Sequence, residues 1–365
     1  ISVPAMSENE MDSAVILCEG AFGKPPGKTA AGLVRRSHRF KIIGVIDSTS
    51  PGIDAGELLD GVVNGIPIYP SVSKMLSDGG QRPDYLIVGV ATIGGRLPDS
   101  FRDPINEALG SGIGVISGLH EYLSDDPGFR SAATSGGAEI LDIRREPPLD
   151  RLRHFRNLAK DLDCVRIPVL GTDAAIGKRT TALELTDSLN EIGVESVFVA
   201  TGQTGLLQGS EFGVPLDAIR GDFVVGELEG EIIRAWEERR PKVIIIEGQG
   251  SLSHPAYVTG SRAIISSSSP NGVILQHAPK RTYRTFHENE LHLPMPDIGA
   301  EVELVRAIAK CPVIGIGLNH ADMTRDEVSE AIREYQDRFE VPCTDVLWFG
   351  AEELAKGIAR RFDLQ

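Results

Sequence analysis

Two α/β domains in tandem, each built on a largely parallel sheet, are what this sequence predicts, and three observations predict them. Short apolar, β-rich runs alternate with helix-spaced segments along both halves of the 365 residues, the pattern of strands joined by crossover helices. A charged stretch opening with Pro147-Pro148 separates the halves. One strand-to-helix junction in the second half is a glycine-rich loop that ends in lysine. The length suffices for two cores of ordinary size. An apolar content of 41% against 24% charged residues is that of a globular protein.

In the first half, strands are expected at Ala14–Cys18, Lys41–Ile46, Tyr85–Val90 and Ile113–Ser117, each bounded by glycine or polar residues. Helix-compatible spacing lies between them, as at Ser71–Leu76 and Ile105–Leu109. This alternation makes residues 12–145 a Rossmann-like domain. Asp47 closes the second strand, where a nucleotide-binding sheet often places a carboxylate for a ribose. The first turn, however, reads Gly20-Ala-Phe-Gly23-Lys-Pro-Pro-Gly27-Lys28-Thr29 rather than GxGxxG, and Pro25-Pro26 stiffen it. A dinucleotide in this half therefore stays an open question.

Residues 146–163 read as a helical linker, with Leu152, Phe155 and Ala159 on one side and Arg151, Arg153, Arg156 and Lys160 in solvent. From 164 to 365, strands are expected at Ile167–Leu170, Ser196–Ala200, Lys242–Ile246, Val273–Leu275 and Val313–Gly317. Leu228, Ile232, Ala235 and Trp236 share one helix face, as do Val328, Ala331, Ile332, Tyr335 and Phe339. The run Ser266–Ser269 reads as a polar loop.

The sharpest signal is Ile167-Pro-Val-Leu-Gly171-Thr172-Asp173-Ala-Ala-Ile-Gly177-Lys178-Arg179-Thr180-Thr181. An apolar strand enters a loop holding two glycines, and a helix with Ala182, Leu185, Leu189 and Ile192 on one face follows. Such a loop turns backbone N–H groups inward and adds the positive end of the helix, so it holds phosphate. Lys178 sets an ammonium among those phosphates. The spacing is one residue longer than GxxxxGK[ST], and Arg179 stands where a magnesium-ligating hydroxyl normally sits, which shifts charge neutralisation from metal to protein. The second half is thus expected to be a P-loop NTPase-like parallel-sheet domain. A second strand, Lys242-Val-Ile-Ile-Ile-Glu247-Gly-Gln249-Gly250, ends in a carboxylate and a glycine-rich turn, as a strand beside a phosphate loop does.

Composition narrows the partners. A net charge of −15 argues against a nucleic-acid backbone. No run of 18 apolar residues spans a membrane, and Ile1–Asp12 carries neither the basic nor the apolar region of a secretory leader. Four scattered cysteines form no CxxC and read as reduced thiols of a cytoplasmic protein. His120, His287, His292 and His320 have no metal-ligand spacing, so no metal site is assigned. Small-molecule substrates are the expected partners, in a homo-oligomer.

Gly171-Thr-Asp-x-x-x-Gly177-Lys178 with Glu247-Gly-x-Gly250 resembles dethiobiotin synthetase and its relatives. The fuller set adds Arg179-Thr-Thr181, Thr201-Gly-Gln203-Thr-Gly205, Asp222-Phe223, Gln249 and His254-Pro255, with Leu86–Ala91 and Val115–Glu121 in the first half. It resembles more closely a bacterial and archaeal family long catalogued only as a domain of unknown function. The resemblance covers nearly the whole chain. Members of that family are D-glutamate N-acetyltransferases that use acetyl-CoA in D-amino-acid breakdown. The resemblance implies the same reaction here, with Arg179 as the family's own residue.

The residues suit that chemistry. Acetyl-CoA carries a pyrophosphate and a 3′-phosphate, which a phosphate loop holds without ATP cleavage. Gly171, Thr172, Asp173, Gly177, Lys178, Arg179, Thr180 and Thr181 are the candidate cofactor residues. Asn319 joins them, standing where related P-loop enzymes read an adenine. Acetylation needs a base for the substrate ammonium; Glu247, Asp222, His254 and His277 are candidates, with Glu247 favoured. Lys280, Arg281 and Arg284 make a candidate carboxylate clamp, and Gln203, Gln249 and His254 further substrate contacts. ATP with magnesium, in a carboxylate-activating ligase or kinase, is the alternative for the same loop. A nucleotide-sensing protein without turnover is the second alternative.

Overall fold

The computed structural model describes residues 11–78, 81–285 and 292–364. They form two compact units. The first comprises the described residues up to Glu146 with the excursion Gln203–Glu211, the second Pro147–Gly202 with the described residues from Phe212 onward.

The first unit holds six parallel strands: β1 (Asp12–Leu17), β2 (Phe40–Ile46), β3 (Ile68–Tyr69), β4 (Tyr85–Val88), β5 (Gly114–Ser117) and β6 (Ile140–Asp142). Their order, β3-β2-β1-β4-β5-β6, is that of a doubly wound dinucleotide-type sheet. β1 is buried from Ser13 to Leu17 and pairs on both sides, with β2 and with β4. A run apolar on both faces belongs at such a central position. The sequence missed β3 and β6, two- and three-residue edge strands too short for periodicity to reveal.

The second unit holds seven parallel strands: β7 (Val165–Gly171), β8 (Ser196–Ala200), β9 (Phe212–Gly213), β10 (Val243–Glu247), β11 (Val273–His277), β12 (Val313–Leu318) and β13 (Cys343–Thr344). They run β13-β12-β11-β7-β10-β8-β9. β7 sits in the middle, flanked by β10 and β11. The helix Lys178–Glu191 follows β7, burying Ala182, Leu185 and Leu189. No helix among the described residues is long and apolar enough to cross a membrane.

Two local expectations fail for identifiable reasons. Residues 146–163 form no helix, only 3-10 turns at Leu149–Arg151 and Ala159–Asp161. Acids of the helix Val224–Arg239 take the amides that a helix would have used. Glu229 accepts from the backbone N of Arg156, Leu158 and Ala159, while Glu227 accepts from that of Arg153. Ser266–Ser269 is no polar loop either, because the helix Thr259–Ser268 runs through it. Ser267 and Ser268 are buried, their hydroxyls donating to the carbonyls of Ala263 and Ile264 one turn back.

Candidate functional site

The last residue of β7, Gly171, is glycine because a side chain there would lie 2.8 Å from Ile176 and 3.1 Å from the carbonyl of Gln276. The loop then bends through Ala175, at φ 50, and Gly177, at φ 101, before the helix starts at Lys178. Those two left-handed residues turn the peptide planes so that carbonyls and amides separate. Every carbonyl from Asp173 to Ile176 is held. Lys178 Nζ donates to that of Asp173, the Arg281 guanidinium to those of Ala174 (2.9 Å) and Ala175 (3.1 Å), and Asn319 Nδ2 to that of Ile176 (3.1 Å). The amides of Ala174 to Lys178, by contrast, face no acceptor among the described residues. A run of such amides at a helix N-terminus is an anion-binding nest.

Charge around the nest is arranged for the same task. Lys178 is buried, and that burial pushes its ammonium down to about 8 against the opposing pull of Asp173 and Glu247. Glu247, at the tip of β10, accepts from the backbone N of Thr201 (2.8 Å) and Gly202 (3.1 Å) through Oε2. Burial pushes its carboxyl up, while Arg179 and the two amides pull it down. Gly248 lets this strand tip approach β7, since a Cβ there would stand 1.9 Å from the Val169 carbonyl and 2.9 Å from Lys178. Gln249 Nε2 donates to Thr201 Oγ1 (3.1 Å), bracing the same corner.

The remaining sequence candidates divide by role. Thr172 and Asp173 are fully buried. Thr172 Oγ1 lies 2.9 Å from His277 Nδ1, and Asp173 Oδ2 accepts from Arg281 and from the Thr285 backbone. Thr181 donates to Gln276 Oε1 (2.7 Å), so its hydroxyl is committed inside the fold, whereas Thr180 is half-buried on the first helical turn. His277 is buried and its imidazole pushed down to about 4, which keeps it neutral. His254 is buried too. Its Nδ1 accepts from the Ala256 and Tyr257 amides, which leaves Nε2 to donate toward Thr285 O at 3.3 Å. That nitrogen also stands 3.7 Å from Asp173 Oδ1. Asp222 is exposed ahead of the helix Val224–Arg239.

The expected clamp of Lys280, Arg281 and Arg284 is corrected by the geometry. Lys280 pairs with Glu327 in solvent (2.7 Å), Arg281 grips the loop carbonyls, and Arg284 is buried against Ser251, Ser253 and the Pro294 carbonyl. Three nearby cations in sequence thus take three directions, each drawn by a different acceptor. Asn319, expected beside an adenine, donates to the Ile176 carbonyl. Gln203 belongs to the first unit, where its Nε2 donates to Thr29 Oγ1 (3.3 Å) from the short helix Gln203–Leu207. His287 lies outside the described residues. Gln276 was missed; the signal for it is a polar residue at the end of an apolar strand. Glu301, buried and accepting from Leu252 N and Ser253, was also missed, because a helical Glu normally faces water.

In the first unit, Asp47 is fully buried, and its carboxylate accepts from the backbone N of Gly20 (3.1 Å), Phe22 (3.1 Å) and Thr49 (2.9 Å). The oxygens expected for a ribose are spent on the turn itself.

The chain matches two models of one family. Residues 48–146 match the Rossmann-like domain described as DUF1611_N, and residues 153–355 the P-loop domain described as DUF1611_C, a domain of unknown function. It is 31% identical over 290 residues to a D-glutamate N-acetyltransferase of Tritonibacter scottomollicae, covering 75% of this chain and 80% of that one. It is likewise 31% identical over 278 residues to a D-glutamate N-acetyltransferase of a Pseudoalteromonas species, covering 74% and 80%. A crystal structure of a DUF1611 family protein from Anabaena variabilis matches with a TM-score of 0.87 at 34% identity, over 96% of this chain and 99% of that one.

Proposed function

The chain belongs to the DUF1611 family, and on that premise we propose that it transfers acetyl from acetyl-CoA to the amino group of D-glutamate or a similar acidic amino acid. The observation that carries this reading is the row of acceptor-free amides from Ala174 to Lys178 beside a buried ammonium. It is a seat for a pyrophosphate. The relatives named as D-glutamate N-acetyltransferases supply the reaction.

The proposed chemistry uses few groups. A pyrophosphate in the nest draws Lys178 Nζ away from the Asp173 carbonyl, and charge-assisted bonds replace a neutral one. Arg179, in place of a hydroxyl, and Thr181, bound to Gln276, favour neutralisation by protein cations over a loop-bound metal. Glu247 takes one proton from the substrate ammonium, and its burial-raised carboxyl is suited to that exchange. The amine nitrogen attacks the thioester carbon, the C–S bond breaks, and the departing thiolate takes the second proton that the nitrogen sheds, leaving as free CoA.

Two measurements test this. Free thiol release is followed with acetyl-CoA and D- or L-glutamate; release dependent on the amino acid is the expected result. Thermal stabilisation is compared for acetyl-CoA, CoA and ATP with magnesium. Stabilisation by ATP–magnesium alone, without thiol release, replaces the transferase with the ligase or kinase reading.

A further inference from the structure

Beyond the end of β11 a cleft of about 400 Å³ opens among His277, Lys280, Arg281, Asp297, Ile298 and Tyr335. That size suits a small-molecule pocket. Three features tie it to the phosphate loop. Thr172 Oγ1, in the loop, lies 2.9 Å from Nδ1 of His277, in the cleft wall. Arg281, another wall, holds Asp173, Ala174 and Ala175 with one guanidinium. The chain also proceeds from β7 to one side of the sheet, through β8 and β10, and then returns to β11 on the other. The crevice at the carboxyl ends of strands that part in this way is where open α/β sheets take ligands.

The lining selects among anions. Tyr335 and Ile298 lie beneath it, only 8% and 2% exposed, so the surface that a ligand meets is mainly polar. Asp297, held by Arg338 at 2.7 Å, puts a carboxylate at the rim. A dicarboxylate meets like charge there, whereas a heterocycle with N–H groups meets an acceptor. Lys280 supplies a cation. Its pair with Glu327 joins side chains 47% and 40% exposed, and an exposed pair is weak enough to exchange for a phosphate.

We propose that this cleft takes the nucleoside end of the phosphate-bearing co-substrate, with Lys280 on a phosphate outside the pyrophosphate. In acetyl-CoA that group is the 3′-phosphate, so the inference rests on the acetyl-CoA reading given above. The test is calorimetric titration of the full chain with CoA and with dephospho-CoA. The wild-type chain is expected to favour CoA by roughly tenfold or more, the effect of one charged hydrogen bond. Lys280→Ala brings that ratio towards one and leaves dephospho-CoA affinity unchanged. Thr282→Trp, at an exposed position lining the cleft, weakens both ligands by filling the space. Equal wild-type affinity for the two ligands, with Thr282→Trp indifferent, overturns the cleft assignment and leaves the acetyl-CoA reading standing. Absence of any CoA binding by the wild-type chain removes both.

Discussion

The turn after β1 and the turn after β7 both run from a buried parallel strand through glycines into a helix, yet their backbone amides meet different fates. After β1, the amides of Ala21, Lys24 and Gly27 bond to carbonyls three residues back within the turn. Those of Gly20 and Phe22 go to the Asp47 carboxylate, and that of Ala30, in the first helical turn, goes to the Gly89 carbonyl. After β7 it is the carbonyls that are taken, by Lys178, Arg281 and Asn319, and the amides that are left. One turn supplies its own anion; the other is built to receive one. The difference lies in where the acid and the cations fall in the surrounding sheet, since both turns have their glycines.

That contrast can be broken or sharpened by substitution. The largest effect is expected at Glu247, where Glu247→Gln should lower kcat by about 10²–10⁴-fold, the usual contribution of a general base, with KM for acetyl-CoA nearly unchanged. A rise in KM alone would make Glu247 a structural acid. Lys178→Ala should raise KM for acetyl-CoA roughly a hundredfold, as loss of a buried charged contact does, and steady-state kinetics will read it directly. Unchanged KM would take the β7 turn out of the mechanism.

In the first unit the same logic predicts stability without activity. Asp47→Ala strands the Gly20 and Phe22 amides inside the fold and should cost about 2 kcal/mol in urea unfolding, with thiol release per folded molecule unaltered. A change in KM for acetyl-CoA would contradict the division between the two turns. The smallest effect concerns pH. Lys178 is lowered to about 8 from the ordinary lysine value, so it is an ammonium below that pH and neutral above it. A phosphate ligand prefers the ammonium. Affinity for CoA should therefore be flat between about pH 7 and 8, above the second ionisation of its phosphate monoester, and fall above pH 8 by up to about tenfold per pH unit. Lys178→Met should lack the fall.

Much of this was legible in the residues, and the exceptions have physical causes. The long central strands and the glycine-rich loop announced themselves, because burial on both faces forces continuous apolar runs and a tight phosphate turn forces glycine. The edge strands β3, β6, β9 and β13 did not, being two or three residues long. The linker misled because its helical spacing was real, but Glu227 and Glu229 captured its amides from another element. His254 and Asn319 stand after strands, as ligand contacts often do, and both hold backbone, which the sequence did not show.

Sequence by itself determined that there are two parallel α/β units, that the second carries a phosphate loop ending in Lys178, and that Glu247 closes another strand of that unit. These follow from local rules of periodicity, glycine placement and strand ends. The tertiary structure alone decided which polar groups are already spent. Asp47, Arg281, Arg284 and Thr181 differ little in sequence from ligand-binding residues, and what occupies them is a partner brought from up to 108 residues away, as with Arg281 and Asp173. Hydrogen-bond saturation is a property of the packed chain, and no local pattern of residues encodes it.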